Sequence, residues 1–272
     1  MTDPLSRIAD ALERLAPPRP VDAAPDGPAW LWSNGQLRAV SGFAPVPYDL
    51  LTGIDAQKAQ LLENCRRLAA GHAAHDVLLW GARGMGKSAL VKSAIGKVQD
   101  EGADLRLVET PGDALAELAS LFDLLGKDQR PTIVFVDDLG FEANGNAARQ
   151  LRSVLDGGAI ARPPHVRLYV TSNRRHIVAR DMAEQDSAIN PRDVIDDRLA
   201  LADRFGLSLG FHACDQETWL AMVAAYAARL SLDFDQQDAL TWATQRGARS
   251  GRIAWHYATE LAGRAGMAMP RT

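Results

Sequence analysis

Val77-Leu78-Leu79-Trp80-Gly81-Ala82-Arg83-Gly84-Met85-Gly86-Lys87-Ser88-Ala89 is the stretch whose reading decides the fold. It joins an apolar run to the phosphate-loop pattern GxxxxGK followed by a hydroxyl residue, and a segment of helical period comes next. Glycines admit loop conformations that side chains forbid, so successive backbone N–H groups can turn inward at a phosphate. The helix opening at Lys87 adds its positive dipole end, the Lys87 ammonium suits the β and γ phosphates, and the Ser88 hydroxyl suits Mg²⁺. With a strand before it and a helix after it, the pattern points to a bound nucleoside triphosphate rather than a glycine-rich turn that matches by chance. Residues 81–89 are the expected phosphate-binding set.

Composition narrows the class. With 272 residues, 47% hydrophobic and 24% charged, the chain suits one large nucleotide-binding unit plus a smaller one. The formal net charge of −4 supplies no general field to condense on nucleic acid or an anionic membrane, so such binding needs a local patch. Cys65 and Cys214 lie far apart with no CxxC or Cys/His cluster. That argues against a disulfide framework or a zinc site and fits the reducing cytoplasm. Residues 1–20 lack the apolar core of a signal peptide, and no apolar run approaches membrane-spanning length.

Leu5, Ile8, Leu12 and Leu15 recur at helical spacing over 4–16, and a Pro-rich linker follows to residue 28. Residues 29–32 and 37–40 read as a hairpin closed by Asn34-Gly35, followed by a lead-in to residue 52. A helix is expected over 55–70. Apolar runs at 77–80, 105–108, 133–136, 166–170 and 207–209 then alternate with helix-period segments at 87–98, 114–125, 146–155 and 193–202. Near-continuous apolar strands separated by helices imply a parallel sheet covered on both faces. Three more helices, over 216–230, 236–245 and 251–262, make a small all-helical unit. The expected division is 1–28, 29–52, 53–210 and 211–272.

Four further signals carry chemistry. Ile133-Val134-Phe135-Val136-Asp137-Asp138 is an apolar strand ending in acids, the Walker B pattern, in which Asp137 helps hold Mg²⁺. Asp138 then stands where a carboxylate orients the attacking water, one methylene shorter than the commoner Glu. Slow turnover is expected, because water positioning is sensitive to about 1 Å. Leu168-Tyr169-Val170-Thr171-Ser172-Asn173 is a second strand with a polar end; Asn173 points at the γ-phosphate if this strand neighbours the first, and otherwise serves as a cap. Asp203-Arg204-Phe205 precedes the last strand, where Arg204 either reaches a neighbouring subunit's nucleotide or makes a surface salt bridge. Gly247-Ala248-Arg249-Ser250-Gly251-Arg252 opens the last helix, with Ser250 as N-cap and Arg252 projecting from the first turn.

In this order the five signals resemble the AAA+ ATPases. The resemblance places Asn173 at the sensor-1 position, Arg204 at the arginine finger and Arg252 at sensor 2 in a helical lid. Leu50-Leu51-Thr52-Gly53-Ile54-Asp55 resembles the segment that packs on adenine, which adds Gly53 and Ile54 to the nucleotide-contacting set. The strings LTGIDAQK, LLWGARGMGKSALVK, FVDDLGFE, VTSNRRH, LADRFGLSLGF and RGARSGR are similar to the bacterial family called domain of unknown function 815, from which Gly140 is a small departure. The implied fold is α/β: a P-loop AAA+ core with a parallel five-stranded sheet between helices, plus a C-terminal helical lid.

The resemblance implies ATP and Mg²⁺ as cofactors, Lys87, Asp138, Asn173 and Arg204 as catalytic groups, and Ser88 and Asp137 as metal ligands. It also implies self-association into an ATP-dependent oligomer, a hexamer among the candidates, acting on an unknown protein client. Glu109-Thr110-Pro111-Gly112-Asp113-Ala114-Leu115, where threading AAA+ proteins carry an aromatic loop, has no aromatic residue. Three readings stay open: an ATP-hydrolysing switch, a nucleic-acid loader resembling replication initiators, and a nucleotide-binding scaffold with negligible turnover. For the loader, Arg174, Arg175, His176 and Arg180 form one basic cluster, and Arg246, Arg249 and Arg252 another.

Overall fold

The computed structural model describes residues 27–139, 146–156 (backbone only over 146–150), 162–173 and 203–269. The expected helices over 4–16 and 193–202, Gly140 and the basic cluster after Asn173 lie outside these residues.

The strands are β1 (Ala29–Ser33), β2 (Gln36–Ala39), β3 (Val77–Gly81), β4 (Arg106–Thr110), β5 (Thr132–Val136), β6 (Val166–Ser172) and β7 (Leu207–Phe211). The helices are α1 (Asp55–Ala69), α2 (Lys87–Asp100), α3 (Leu118–Leu125), α4 (Asn146–Leu155), α5 (Gln216–Arg229), α6 (Gln236–Gln245) and α7 (Gly251–Arg264). The expected helix over 114–125 begins instead as a 3₁₀ turn, Gly112–Glu117, and becomes α-helical only at α3.

The five expected parallel strands are present in the order β4-β5-β6-β3-β7, but the sheet is not five-stranded. Among the described residues the hairpin extends it to seven, with β1 pairing parallel to β4 and β2 antiparallel to β1. The reason is burial. Trp30 and Trp32, two residues apart, face one side of the sheet, where both indoles are almost wholly covered and pack with Leu115, Leu118 and Leu121. A free hairpin would leave them in water.

Alternate residues of the central strands supply the two faces. Val77, Leu79, Ile133, Phe135 and Tyr169 pack with α1 and α2, while Leu78, Val134, Val136, Leu168 and Val170 pack with α3 and the tryptophans. The helical unit α5–α7 shares the first of these clusters: Trp219, Met222 and Tyr257 belong to one continuous core with Leu51, Ile54 and Met85. The lead-in segment is thereby held between the sheet and the helical unit. No described helix is long and apolar enough to cross a membrane.

Candidate nucleotide site at the carboxyl edge of the sheet

Parallel pairing sends the ends of β3, β5 and β6 to one edge. Trp80 lies opposite Ser172, and Val136 opposite Val170, so the loop after Gly81, the acids after Val136 and Asn173 emerge together. Lys87 is only 6% exposed. Its ammonium donates to Gly81 O at 3.0 Å, Ala82 O at 2.8 Å and Asn173 Oδ1 at 2.9 Å. Burial pushes it down to about 8; Asp138 and then Asp137 oppose that fall, while Arg83 and Arg252 reinforce it.

Beside Lys87, the Ser88 hydroxyl donates to Asp137 Oδ1 at 2.6 Å, and the Thr171 hydroxyl donates to the same oxygen at 2.5 Å. Asp138 follows in a left-handed backbone conformation, φ 51°. Its N–H donates to Thr171 Oγ1 at 2.8 Å, and Asn173 Nδ2 donates to its carboxylate. The lid completes the enclosure. Ser250 caps α7 by accepting from Ile253 N–H at 3.3 Å, and Arg252 N–H donates to Gly84 O at 3.2 Å. The amino ends of α2 and α7 therefore meet at the loop, both with the polarity that favours an anion. Gly84 makes the approach possible: at φ 74°, a Cβ there would lie 2.9 Å from Ser250 Oγ.

A cavity of about 370 Å³ is lined by Lys87, Ser88, Asp137 and Asp138 and by the apolar Val46, Leu50, Ile54, Met222, Tyr226 and Trp255. Its size and its mixed polar and apolar lining suit a nucleotide. A larger cleft of about 870 Å³ adjoins it and is lined by Ala82, Arg83, Asn173, Cys214 and Arg249.

The expected residues thus divide. Gly84, Met85, Gly86, Lys87, Ser88, Ala89, Ile54, Asp137, Asp138, Asn173 and Arg252 line the smaller cavity. Ala82 and Arg83 line the larger cleft, and Gly81 contributes its carbonyl to Lys87. Gly53 turns against Thr218 and Met222 while its neighbours Thr52 and Ile54 line the cavity. Arg204 is elsewhere. Leu207 pairs with Val77, so Arg204, three residues earlier, precedes the amino end of β7, and the strand itself spans about 17 Å (five residues at ~3.3 Å) to the edge that carries the loop. There its Nε meets Asp156 Oδ1 at 2.5 Å, with roughly a third of the arginine exposed. The surface salt bridge is present, with Asp156 as its partner. Thr171, Met222, Tyr226 and Trp255 went unread as site residues, because a strand threonine and apolar helix positions look like ordinary core.

The match to known proteins agrees with this geometry. The family described as "Protein of unknown function (DUF815)" matches over residues 26–265. Among solved structures, the Holliday junction branch migration motor RuvB of Thermotoga maritima superposes with a TM-score of 0.53 at 16% identity, covering 83% of this chain and 68% of that one. A proline-to-glycine mutant of the same motor gives 0.55 at 18% identity, covering 84% and 70%. The Aeropyrum pernix ORC1 protein in complex with DNA gives 0.53 at 13% identity, covering 83% and 66%. No curated protein sequence matches the chain. A chain matched from residue 26 to residue 265, with these neighbours, has the AAA+ P-loop fold and belongs to the domain of unknown function 815 family.

Proposed function

We propose that the protein binds ATP with Mg²⁺ and hydrolyses it slowly to ADP and phosphate, as an AAA+ switch assembled from copies of itself in the cytoplasm. One observation carries the reading: Lys87, the Ser88–Asp137 pair and the Asp138–Asn173 pair converge at one strand edge beside an apolar cavity. In this reading the Lys87 ammonium and the amino ends of α2 and α7 hold the phosphates, and Val46, Leu50, Tyr226 and Trp255 cover the base. A hydroxyl beside a carboxylate, completed by substrate phosphates, is a donor set that suits Mg²⁺. When bound, Mg²⁺ neutralises charge developing on the phosphate oxygens. Asp138 and Asn173 orient the attacking water, and Asp138 accepts its proton.

Arg204 acts on the neighbouring copy, since its own phosphate loop lies across the sheet. Arg252 reports the γ-phosphate to the lid, turning occupancy into a change of lid position. The division at residue 210 follows from the same scheme, with 211–272 as the lid, whereas the hairpin within 29–52 joins the sheet that 53–210 builds. One structural neighbour is a Holliday junction branch migration motor and another is in complex with DNA, yet here Arg252 lines the nucleotide cavity, Arg249 lines the adjoining cleft and Arg246 stacks 3.2 Å above Trp242. That distribution ties the second basic cluster to the nucleotide cavity, its adjoining cleft and an aromatic stack.

A complementation assay tests the proposal. Lys87→Ala removes nucleotide binding and leaves the finger, while Arg204→Ala removes the finger and leaves binding. Each alone should be inactive, and their mixture should regain ATP turnover. A mixture that stays inactive, or an Arg204→Ala variant with full turnover, would defeat the trans assignment.

A further inference from the structure

Asp138 has a conformation that demands an account. At φ 51° this non-glycine residue lies in the sparsely populated left-handed region, and a residue is held there only where its neighbours over-determine the conformation. Three contacts to a single residue of β6 supply that constraint. The Thr171 hydroxyl donates to Asp137 Oδ1 and accepts from Asp138 N–H, and the Thr171 carbonyl accepts from Leu139 N–H at 2.8 Å. Three consecutive residues after β5 are therefore registered on one residue, which is itself only 1% exposed.

We propose that Thr171 is a positioning residue of the ATPase site: its hydroxyl holds Asp137 and the left-handed Asp138 together, and so sets the directions of both carboxylates. The inference rests on the nucleotide reading above. Each bond has a separate consequence. Asp137 Oδ1 is taken up by Thr171 whether or not Ser88 turns away toward a cation, so the rotation of that carboxylate stays fixed and its second oxygen is available. The captured Asp138 N–H keeps the backbone left-handed, and that conformation carries the short Asp138 side chain to Asn173 and toward Lys87.

Thr171→Val keeps the shape of the side chain and removes both hydroxyl bonds, whereas Thr171→Ser keeps them. In the full chain, Thr171→Val should raise the Mg²⁺ concentration for half-maximal turnover about tenfold and lower kcat by 10–100-fold, the range seen when groups that orient metal ligands are lost. KM for ATP should move less than about threefold, because uniform phosphate and base contacts survive. Thr171→Ser should restore kcat and the Mg²⁺ dependence. Thr171→Ala replaces the valine variant if that one does not fold.

Amide hydrogen exchange gives a readout that needs no nucleotide. The Asp138 amide should exchange about tenfold faster or more in Thr171→Val, while Leu139, bonded to a backbone oxygen, stays protected. A Thr171→Val protein that merely melts earlier, with kcat and Mg²⁺ dependence unchanged, would overturn the proposal. If the wild-type protein neither binds nor hydrolyses ATP, the nucleotide reading fails. The exchange rates then decide the clamp alone, and an Asp138 amide equally protected in both proteins overturns it.

Discussion

Lys87 Nζ and Asn173 Oδ1 lie 2.9 Å apart, and the other end of the same amide donates to Asp138. One side chain thus spans the group that would bind phosphate and the group that would activate water. The Lys87 proton that Asn173 accepts is one that a γ-phosphate would claim. Asn173→Ala should therefore leave ATP affinity within about threefold while lowering kcat about 100-fold, as loss of one preorganised transition-state donor does. Steady-state kinetics with direct nucleotide titration checks the split, and a kcat within threefold of wild type would remove Asn173 from the mechanism.

Burial holds Lys87 at about 8 against an ordinary 10.5. A bound triphosphate favours the ammonium, so ATP binding between those two pH values should take up a proton, and affinity should fall as pH rises through the window. Titration calorimetry in two buffers of different ionisation enthalpy measures the uptake. For folding, the unfolded chain binds this proton more strongly than the native one, so stability should rise with pH from about 8 to 10.5. Lys87→Met should abolish both the proton uptake and that slope; a urea-midpoint profile that keeps its slope would assign the titration to another group.

The central strands were legible because buried parallel strands read as unbroken apolar runs, and Gly81–Ser88 declares its loop by local residue type alone. What escaped depended on partners distant in sequence. Nothing local to Trp30 and Trp32 names β4 as the strand they join. The Gly112–Glu117 turn reads as part of a helix because Ala114, Leu115 and Leu118 keep helical spacing. Arg204 and Asp156 lie 48 residues apart, so their pairing could be framed only as an open alternative. Tyr226 and Trp255 have the spacing of ordinary helix core, and only the docking of the lid on the lead-in segment turns them toward a cavity. Thr171 looked like a β-former, and its second role is visible only in its bonds to Asp137 and Asp138.

Gly53 joins the lead-in segment to the lid through a close approach. At φ 78°, a Cβ there would stand 2.3 Å from Thr218 Cγ2 on α5. Gly53→Ala should lose about 1–2 kcal/mol to the left-handed backbone and a further 1–3 kcal/mol to the clash. Adding Thr218→Ser deletes the opposing methyl and should return only the second part. Urea denaturation of the two single variants and the double variant checks the partition. Complete rescue would mean that the backbone strain is absent.

Trp30 tests whether the hairpin is part of the sheet's stability or an appendage to it. Its indole is fully buried, and the equally buried Arg106 guanidinium lies 5.0 Å from the ring while pairing with Asp128 at 2.8 Å. Trp30→Ala should cost about 3–5 kcal/mol through the cavity it leaves, and part of that loss reflects a buried cation deprived of its aromatic cover. Trp30→Phe should recover most of it, because a ring face remains. Nucleotide affinity is the discriminating control. β1 and β3 are separated by β4, β5 and β6, about 19 Å at strand spacing, so ATP binding by the folded Trp30→Ala protein should stay within twofold of wild type. A hairpin outside the cooperative fold would behave otherwise: Trp30→Ala would leave the urea midpoint unmoved.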